Sequence, residues 1–354
     1  MKKIIMTGGG TAGHVTPNIA LIPGLRKKGY DIVYIGSYNG MERRLIENMG
    51  ITYFGISSGK LRRYFDWENF LDPFKVCKGF VESVRIIKKE KPKIVFSKGG
   101  FVSVPVVLAA KFCGVPAIIH ESDITPGLAN KIAIRGAKKV CCNFPETVEY
   151  IPDHKGVFTG TPIRKDLFEG NEKVAMNLCG FIDHNKPVLL IIGGSSGAKT
   201  LNDIIRKNLS VLLEKYYIIH LCGRGNYKED LNKVDGYAQF EYVNDELKDI
   251  FALSDIVLSR AGANSIGEIA ALAIPNILIP LTLAQSRGDQ ILNAKSFVKQ
   301  GFSVMLEEES LTDQILLDTI ESVYNDREMY IDNMKRKATI NSEEIILNLI
   351  VANS

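Results

Sequence analysis

TGGGTAGHVTP, residues 7–17, follows the run Lys2-Lys3-Ile4-Ile5-Met6 and sets the reading of the whole chain. Gly8, Gly10 and Gly13 fit G-x-G-x-x-G, a loop whose glycines let backbone amides approach a phosphate at the start of a helix. The pattern asks for a strand before it, a helix after it and an acidic residue about 20 positions on to hold a ribose. Ile4–Thr7 supplies the strand. Ile19, Ala20, Ile22 and Leu25 recur at helical spacing and predict a helix over about 17–28. The next apolar run, Asp31–Gly36, ends in Ser37-Tyr38-Asn39 with no acid. The dinucleotide reading therefore lacks its confirming partner, and the loop carries a titratable His14 that a plain phosphate cradle does not need.

Over 354 residues the chain has room for two ordinary domains, with a 24% charged and 45% hydrophobic composition typical of globular proteins. It enters a strand at once, which predicts no signal peptide, and no apolar run approaches the ~18 residues of a membrane span. Six cysteines (77, 113, 141, 142, 179, 222) form no C-x-x-C and lie mostly in apolar runs, predicting buried thiols rather than disulfides or zinc. The net charge of +4 is unevenly spread. Residues 1–163 carry 24 Lys and Arg against 13 Asp and Glu, while the remainder carries 20 against 27. A basic first half points to an anionic partner. No nucleic-acid-binding signature accompanies it, so an anionic membrane surface is the better expectation.

Short β-rich runs alternate with helical periods: Ile4–Thr7, Ile32–Ile35, Ile51–Ile56, Ile94–Ser97, Ala117–His120 and Lys139–Cys142. The alternation restarts at Val188–Gly193 and continues through Tyr217–Cys222, Ala238–Tyr242, Ile256–Leu258 and Ile277–Ile279. Such βα alternation predicts an α/β protein with parallel sheets covered on both faces. Two series, each opening with strand, glycine-rich loop and helix, predict two Rossmann-like, doubly wound domains facing across a cleft. We place the first at 1–163 and the second at 164–339, with a last helix at about 340–354 returning to pack on the first. Ligands are expected at the carboxyl ends of the strands.

The second domain opens on Gly193-Gly-Ser-Ser-Gly-Ala-Lys-Thr200, which misses the P-loop pattern because Ala198 separates Gly197 from Lys199. Its small residues still allow backbone amides to approach an anion. A third loop, Ser259-Arg-Ala-Gly-Ala-Asn-Ser-Ile-Gly-Glu268, puts Glu268 one turn into a helix, placed to accept hydrogen bonds from a ribose diol. Two anion-ready loops and a carboxylate in one domain suit a nucleoside diphosphate.

The ordered set GGGTAGH (8–14), SKGGF (97–101), HESD (120–123) with PGLANK (126–131), TGTPIR (159–164), GGSSGA (193–198), RAGANSIGE (260–268) and QILNA (290–294) resembles the MurG family. These are bacterial GT-B glycosyltransferases that move N-acetylglucosamine from UDP-GlcNAc to lipid I, the undecaprenyl-pyrophosphoryl-MurNAc-pentapeptide, giving lipid II of peptidoglycan synthesis. The resemblance spans almost the whole chain. It implies that donor contacts fall on Thr11, Ala12, Gly13, Arg164, Ser195, Val243, Ala263, Asn264, Ser265, Ile266, Gly267, Glu268, Asp289 and Gln290. The acceptor side falls on Gly10, Asp123 and Asn130. Ala12, Asp123 and Asp289 depart from the family's usual residues. The resemblance also implies a peripheral enzyme at the cytoplasmic face of the membrane, alongside other cell-wall synthesis proteins.

Transfer from an α-linked donor to a β-linked product is a direct displacement with inversion. The chain has no D-x-D to hold a bridging metal, so no metal or other cofactor is expected, and helix N-termini and amides would stabilise the departing UDP. Arg164 is a natural pyrophosphate partner because a guanidinium forks onto phosphate oxygens. His14 is the leading candidate for general base, since imidazole titrates near neutrality. Glu121 is its rival. A UDP-GlcNAc 2-epimerase of the same fold is the alternative activity. A nicotinamide oxidoreductase lacks its ribose acid, and a non-catalytic membrane subunit would not need both donor and acceptor motifs.

One stretch looks built for a lipid surface. Residues 61–75, LRRYFDWENFLDPFK, gather Phe65, the sole tryptophan Trp67, Phe70 and Phe74 beside Arg62, Arg63, Lys75 and, just beyond, Lys78. Aromatic rings favour the headgroup level and cations are drawn to anionic lipid.

Overall fold

The computed structural model describes residues 2–59, 68–194, 197–337 and 341–354. The chain divides into two units, Met1–Arg164 with Ile340–Ser354, and Lys165–Thr339.

The described strands of the first unit are β1 (Lys2–Thr7), β2 (Tyr30–Ser37), β3 (Thr52–Ile56), β4 (Ile94–Ser97), β5 (Ala117–Glu121), β6 (Lys139–Cys142) and β7 (Gly156–Phe158). They form one parallel sheet in the order β3-β2-β1-β4-β5-β6-β7. The second unit repeats the arrangement with β8 (Val188–Ile192), β9 (Tyr217–Leu221), β10 (Tyr237–Phe240), β11 (Ile256–Ser259), β12 (Asn276–Leu278) and β13 (Ser303–Met305). Their order, β10-β9-β8-β11-β12-β13, is also all parallel. Both sheets reverse direction of winding beside their first strand, which opens a crevice at the carboxyl ends of β1 and β4, and of β8 and β11.

Parallel strands buried on both faces read as continuous apolar runs, and β4, β5 and β11 are buried along their whole length. Alternation along β1 feeds two cores. Ile5 packs on one face with Val33, Ile35, Val95 and Val106, whereas Ile4 and Met6 pack on the other with Leu21, Ile22 and Leu25. Strands β7 and β13 fall outside the strands expected from sequence. Each is three residues long and lies at a sheet edge, where half-buried residues and the leading Gly156 or Ser303 leave no apolar run.

Helix Thr16–Lys27 carries Pro17 in its first turn, where a missing amide costs nothing. Helix Ser342–Ala352 lies against it: Ile346, Leu347 and Ile350 are buried in the same core cluster as Leu21 and Leu25. The approach requires Gly24, because a Cβ there would stand 2.4 Å from Leu347 Cδ1. The six cysteines are free thiols; Cys141, Cys142 and Cys222 are buried, while Cys77 is exposed on helix Glu68–Glu90, against the expectation of burial. No described helix is long and apolar enough to cross a membrane.

Candidate functional site

The first glycine loop leaves β1 and is tied down from below. Asn18, in the first turns of helix Thr16–Lys27, donates to the Thr7 carbonyl at 3.1 Å and to the Tyr34 hydroxyl at 3.0 Å, and that hydroxyl donates to the Gly8 carbonyl at 2.7 Å. From the side comes Glu42, fully buried at the start of helix Met41–Glu47. Its Oε1 accepts from the Ser37 amide at 2.9 Å and hydroxyl at 2.6 Å, and its Oε2 from the Gly10 amide at 3.3 Å. An acid does follow β2, then, but it is spent on the protein's own loop. That is a physical reason for the missing ribose grip at Ser37-Tyr38-Asn39.

His14 closes a single 3₁₀ turn, its amide bonded to the Thr11 carbonyl at 3.1 Å. The ring stands against the loop after β4. A Cβ on Gly100, which has φ +84°, would lie 2.4 Å from the Gly9 carbonyl and 3.3 Å from His14 Cδ2, so only glycine lets these two loops touch. Nδ1 is buried and finds no partner at hydrogen-bond length. Burial first, and then the Lys98 ammonium, pulls the imidazole down to about 4; the Lys98 main-chain carbonyl and the Glu42 carboxylate act the other way.

Lys98 is 1% exposed. Its Nζ donates to Ser122 Oγ at 2.5 Å and lies 2.9 Å from His120 Nδ1. His120 Nε2 lies 2.9 Å from the Gly160 carbonyl. A carbonyl only accepts, so the His120 proton sits on Nε2 and Nδ1 accepts from Lys98. Burial pulls Lys98 down to about 7, opposed by Glu121 and Asp123. This lysine and His120 lie inside motifs visible in the sequence, yet their pairing is not.

Glu121 is buried with both oxygens engaged. Oε1 accepts from the Asp123 amide at 3.0 Å, and Oε2 from the Gly127 amide at 3.0 Å and Asn130 Nδ2 at 2.8 Å. Burial raises its carboxyl, with Asn130 opposing. Asn130 also donates to the His120 carbonyl at 3.2 Å, and its Oδ1 is buried without a partner. Gly99 brings two of these groups together: a Cβ there would lie 3.5 Å from both Asn130 amide atoms and 3.6 Å from His14 Cε1. Gly10 and Thr11 are exposed, Gly13, Asp123 and Arg164 half-buried, and the Ala12 side chain lies outside the described residues.

In the second unit the loops after β8, β11 and β12 meet through Arg260. Its guanidinium donates to the carbonyls of Ile279 at 3.1 Å and Pro280 at 3.3 Å and pairs with Glu308. Glu308 accepts in turn from Thr200 Oγ1 at 2.8 Å, beside the second glycine loop. Sequence reading gave no role to Glu308. Helix Ala263–Ala271 follows β11, with Ala263 and Ile266 buried and Asn264, Ser265, Gly267 and Glu268 half-buried at its first turns. Val243 is half-buried after β10. Asp289 pairs with Arg287 at 3.4 Å, and Gln290 Oε1 accepts the Leu281 amide at 3.1 Å. Ser195 lies outside the described residues.

Arg62, Arg63, Phe65 and Trp67 also lie outside them, as does the Phe70 side chain. Of the same stretch, Phe74 is 75% exposed on helix Glu68–Glu90. Lys75 pairs with Asp72 at 3.5 Å, and Lys78 lies 3.9 Å from Glu82, so both cations have an acidic neighbour on their own helix.

Residues 4–142 match the glycosyltransferase family 28 N-terminal domain and residues 188–349 its C-terminal domain. A UDP-N-acetylglucosamine--N-acetylmuramyl-(pentapeptide) pyrophosphoryl-undecaprenol N-acetylglucosamine transferase of Clostridium botulinum is 59% identical over 350 residues, covering 99% of each chain. Among solved structures, MurG of Acinetobacter baumannii superposes with a TM-score of 0.77 at 25% identity, over 99% of this chain and 100% of that one. A UDP-GlcNAc 2-epimerase of Methanocaldococcus jannaschii reaches a TM-score of 0.70 at 15% identity, over 99% of this chain and 100% of that one, a likeness of fold alone.

Proposed function

The chain belongs to glycosyltransferase family 28, the MurG transferases with their two-domain GT-B fold, and from that membership we propose how it works as a UDP-GlcNAc-dependent enzyme. It transfers N-acetylglucosamine to lipid I and forms lipid II. The observation that carries the reading is the identity to a named transferase along the whole of both chains, which takes in acceptor and donor loops alike.

The chemistry is a single displacement. The acceptor hydroxyl oxygen bonds to the anomeric carbon on the face opposite UDP, the carbon–oxygen bond to the β-phosphate breaks, and its electron pair leaves with UDP. The hydroxyl proton must go to a base, and we assign it to His14. The neutral imidazole has one unprotonated nitrogen, and its lone pair takes the proton. Burial keeps the free ring neutral, and the diphosphates of the two substrates, arriving as anions, raise its basicity toward the working range. Glu121 is less suited, because its oxygens already accept three hydrogen bonds, one from the Asp123 amide and two at the start of helix Leu128–Ala133. Asn130, with Oδ1 unpartnered, Gly10 and Asp123 are assigned to the acceptor side.

Donor binding is assigned to the loops after β8 and β11: Ser195 and the first-turn amides of helix Ala263–Ala271 toward the diphosphate, Glu268 to the ribose, with Thr11, Ala12, Gly13, Arg164, Val243, Asp289 and Gln290 completing the set. We also assign a lipid-facing role to the stretch Arg62–Lys78, supported by exposed Phe74 and by the excess of Lys and Arg in residues 1–163. That places the enzyme peripherally on the cytoplasmic leaflet.

The test is UDP release from UDP-GlcNAc with and without a lipid I analogue. Release that depends on the acceptor is expected, and epimerisation of UDP-GlcNAc without acceptor would overturn the reading. His14→Ala is expected to lower turnover about 100-fold or more with donor affinity unchanged. Near-normal turnover in that variant removes His14 from the role.

A further inference from the structure

We propose that Glu308 is a positioning residue for the donor: with Arg260 it braces the loops after β8, β11 and β12 in the arrangement that receives the nucleoside diphosphate. The proposal rests on the donor assignment above and goes beyond it, since neither residue belongs to the set assigned there. Strands β8, β11, β12 and β13 stand side by side and parallel, so the segments that follow them leave from one end of the sheet. Arg260 comes directly after β11. Its guanidinium donates to the Ile279 carbonyl at 3.1 Å and the Pro280 carbonyl at 3.3 Å, where the chain leaves β12. Glu308 opens the 3₁₀ turn Glu308–Ser310, after β13. It pairs with Arg260, and its Oε1 accepts from Thr200 Oγ1 at 2.8 Å and Gln285 Nε2 at 3.4 Å. Thr200 lies in the first turn of helix Lys199–Lys207, which follows the second glycine loop.

One carboxylate thus ties together three segments that border the assigned donor contacts. The loop after β12 is held at its far end too. Gln290 Oε1 accepts the Leu281 amide at 3.1 Å, and Asn293, further along helix Asp289–Lys299, donates through Nδ2 to the Ala261 carbonyl at 3.3 Å. The Arg260 and Glu308 side chains are only 10% and 8% exposed. A buried pair of this kind is a poor source of stability, because desolvating both charges offsets their attraction, and apolar side chains of the same volume would do as well. What the pair supplies is direction. Charged hydrogen bonds hold their partners at defined angles, and here every partner is a loop or first-turn group at the carboxyl end of the sheet. A site that meets a diphosphate and a ribose together gains from loops set in advance, since energy used to order them on binding is lost from affinity.

The test is the split between KM and kcat in the full chain, with calorimetry of UDP binding beside it. In Glu308→Ala the KM for UDP-GlcNAc is expected to rise about tenfold and UDP affinity to fall by the same factor, with kcat at saturating donor within about twofold of wild type. Glu308→Gln is expected to recover most of that loss. Its amide oxygen can accept from Arg260 while its NH₂ donates to the Thr200 hydroxyl, which accepts as readily as it donates. A merely structural role would lower the folded fraction and with it kcat, leaving KM and UDP affinity unmoved; that result overturns the proposal, as does a Gln variant no better than Ala. Where Glu308→Ala fails to fold, Thr200→Val decides, because Thr200 is exposed and its hydroxyl is one arm of the brace. Its KM is expected to rise about threefold, the share of one hydrogen bond, and an unchanged KM overturns the proposal. The donor assignment fails separately, through undiminished UDP affinity in Glu268→Ala, whatever the Glu308 variants show.

Discussion

The Glu42 carboxylate bridges the end of β2 and the first glycine loop, with Oε1 2.6 Å from the Ser37 hydroxyl and Oε2 3.3 Å from the Gly10 amide. The carboxylate is spent on the protein's own loop. Glu42→Ala leaves the Ser37 and Gly10 groups unpaired in the interior, a loss of about 1–3 kcal/mol of stability. Urea denaturation measures it. A variant of full stability would show that the bridge is incidental.

Glu268→Ala is expected to weaken UDP-GlcNAc binding by about 1–3 kcal/mol, the range for removing a charged acceptor from a hydrogen bond. Folding should be nearly untouched, because Glu268 is only half-buried. Calorimetry showing undiminished affinity would take the ribose away from this residue.

Acid should weaken the fold before it reaches the carboxylates. His120 and His220 are fully buried, and burial holds both below the ordinary histidine value; His220 lies at about 3, with the Arg206 charge adding to the effect. His220 is bonded on both nitrogens, to the Tyr237 hydroxyl and Asn202 Oδ1, each at 2.9 Å. The unfolded chain therefore takes up protons first. The share of stability that depends on these histidines is complete above about pH 6.5 and falls as pH drops, by about 1.4 kcal/mol per pH unit for each, down to about 3 for His220. Denaturation at a series of pH values reads the slope. His220→Gln should flatten it by one histidine's share, and an unchanged slope refutes the account.

Reversible, salt-sensitive binding to anionic vesicles is expected through the stretch Arg62–Lys78. Each cation near a lipid surface contributes about 1 kcal/mol. Lys75 and Lys78 contribute less than this, because Asp72 and Glu82 stand beside them. Replacing all four with Glu should abolish co-sedimentation and spare UDP binding. Wild-type sedimentation of that variant would move the lipid face elsewhere on the first unit.

The two-sheet α/β architecture was legible because buried parallel strands are written as unbroken apolar runs, and because glycine loops mark where each series starts. Edge strands β7 and β13 were not, since three residues, one of them Gly156 or Ser303, leave no such run. The site was legible only as types of residue in order. Glu42 belongs to none of the motifs, and nothing local says that it turns inward to Gly10. Lys98 stands between a strand and two glycines, with no local sign of burial. Its partners His120 and Ser122 are 22 and 24 positions away, and only the pairing of β4 with β5 brings them to it. Glu121 shows the opposite case: a carboxylate in a conspicuous motif whose hydrogen bonds hold the loop that follows it and the start of the next helix.

Helix Ser342–Ala352 supplies Ile346, Leu347 and Ile350 to a core whose other members come from the first half of the chain. During synthesis the ribosome delivers residues 2–164 long before that helix exists. The second unit, an uninterrupted stretch, can complete itself as soon as it has emerged, whereas the first waits with Leu21, Ile22 and Leu25 uncovered until residues 342–352 have been made. Assembly thus runs against the order of translation, and a chain cut short by a dozen residues would reach the cell with an intact second half and an open first one.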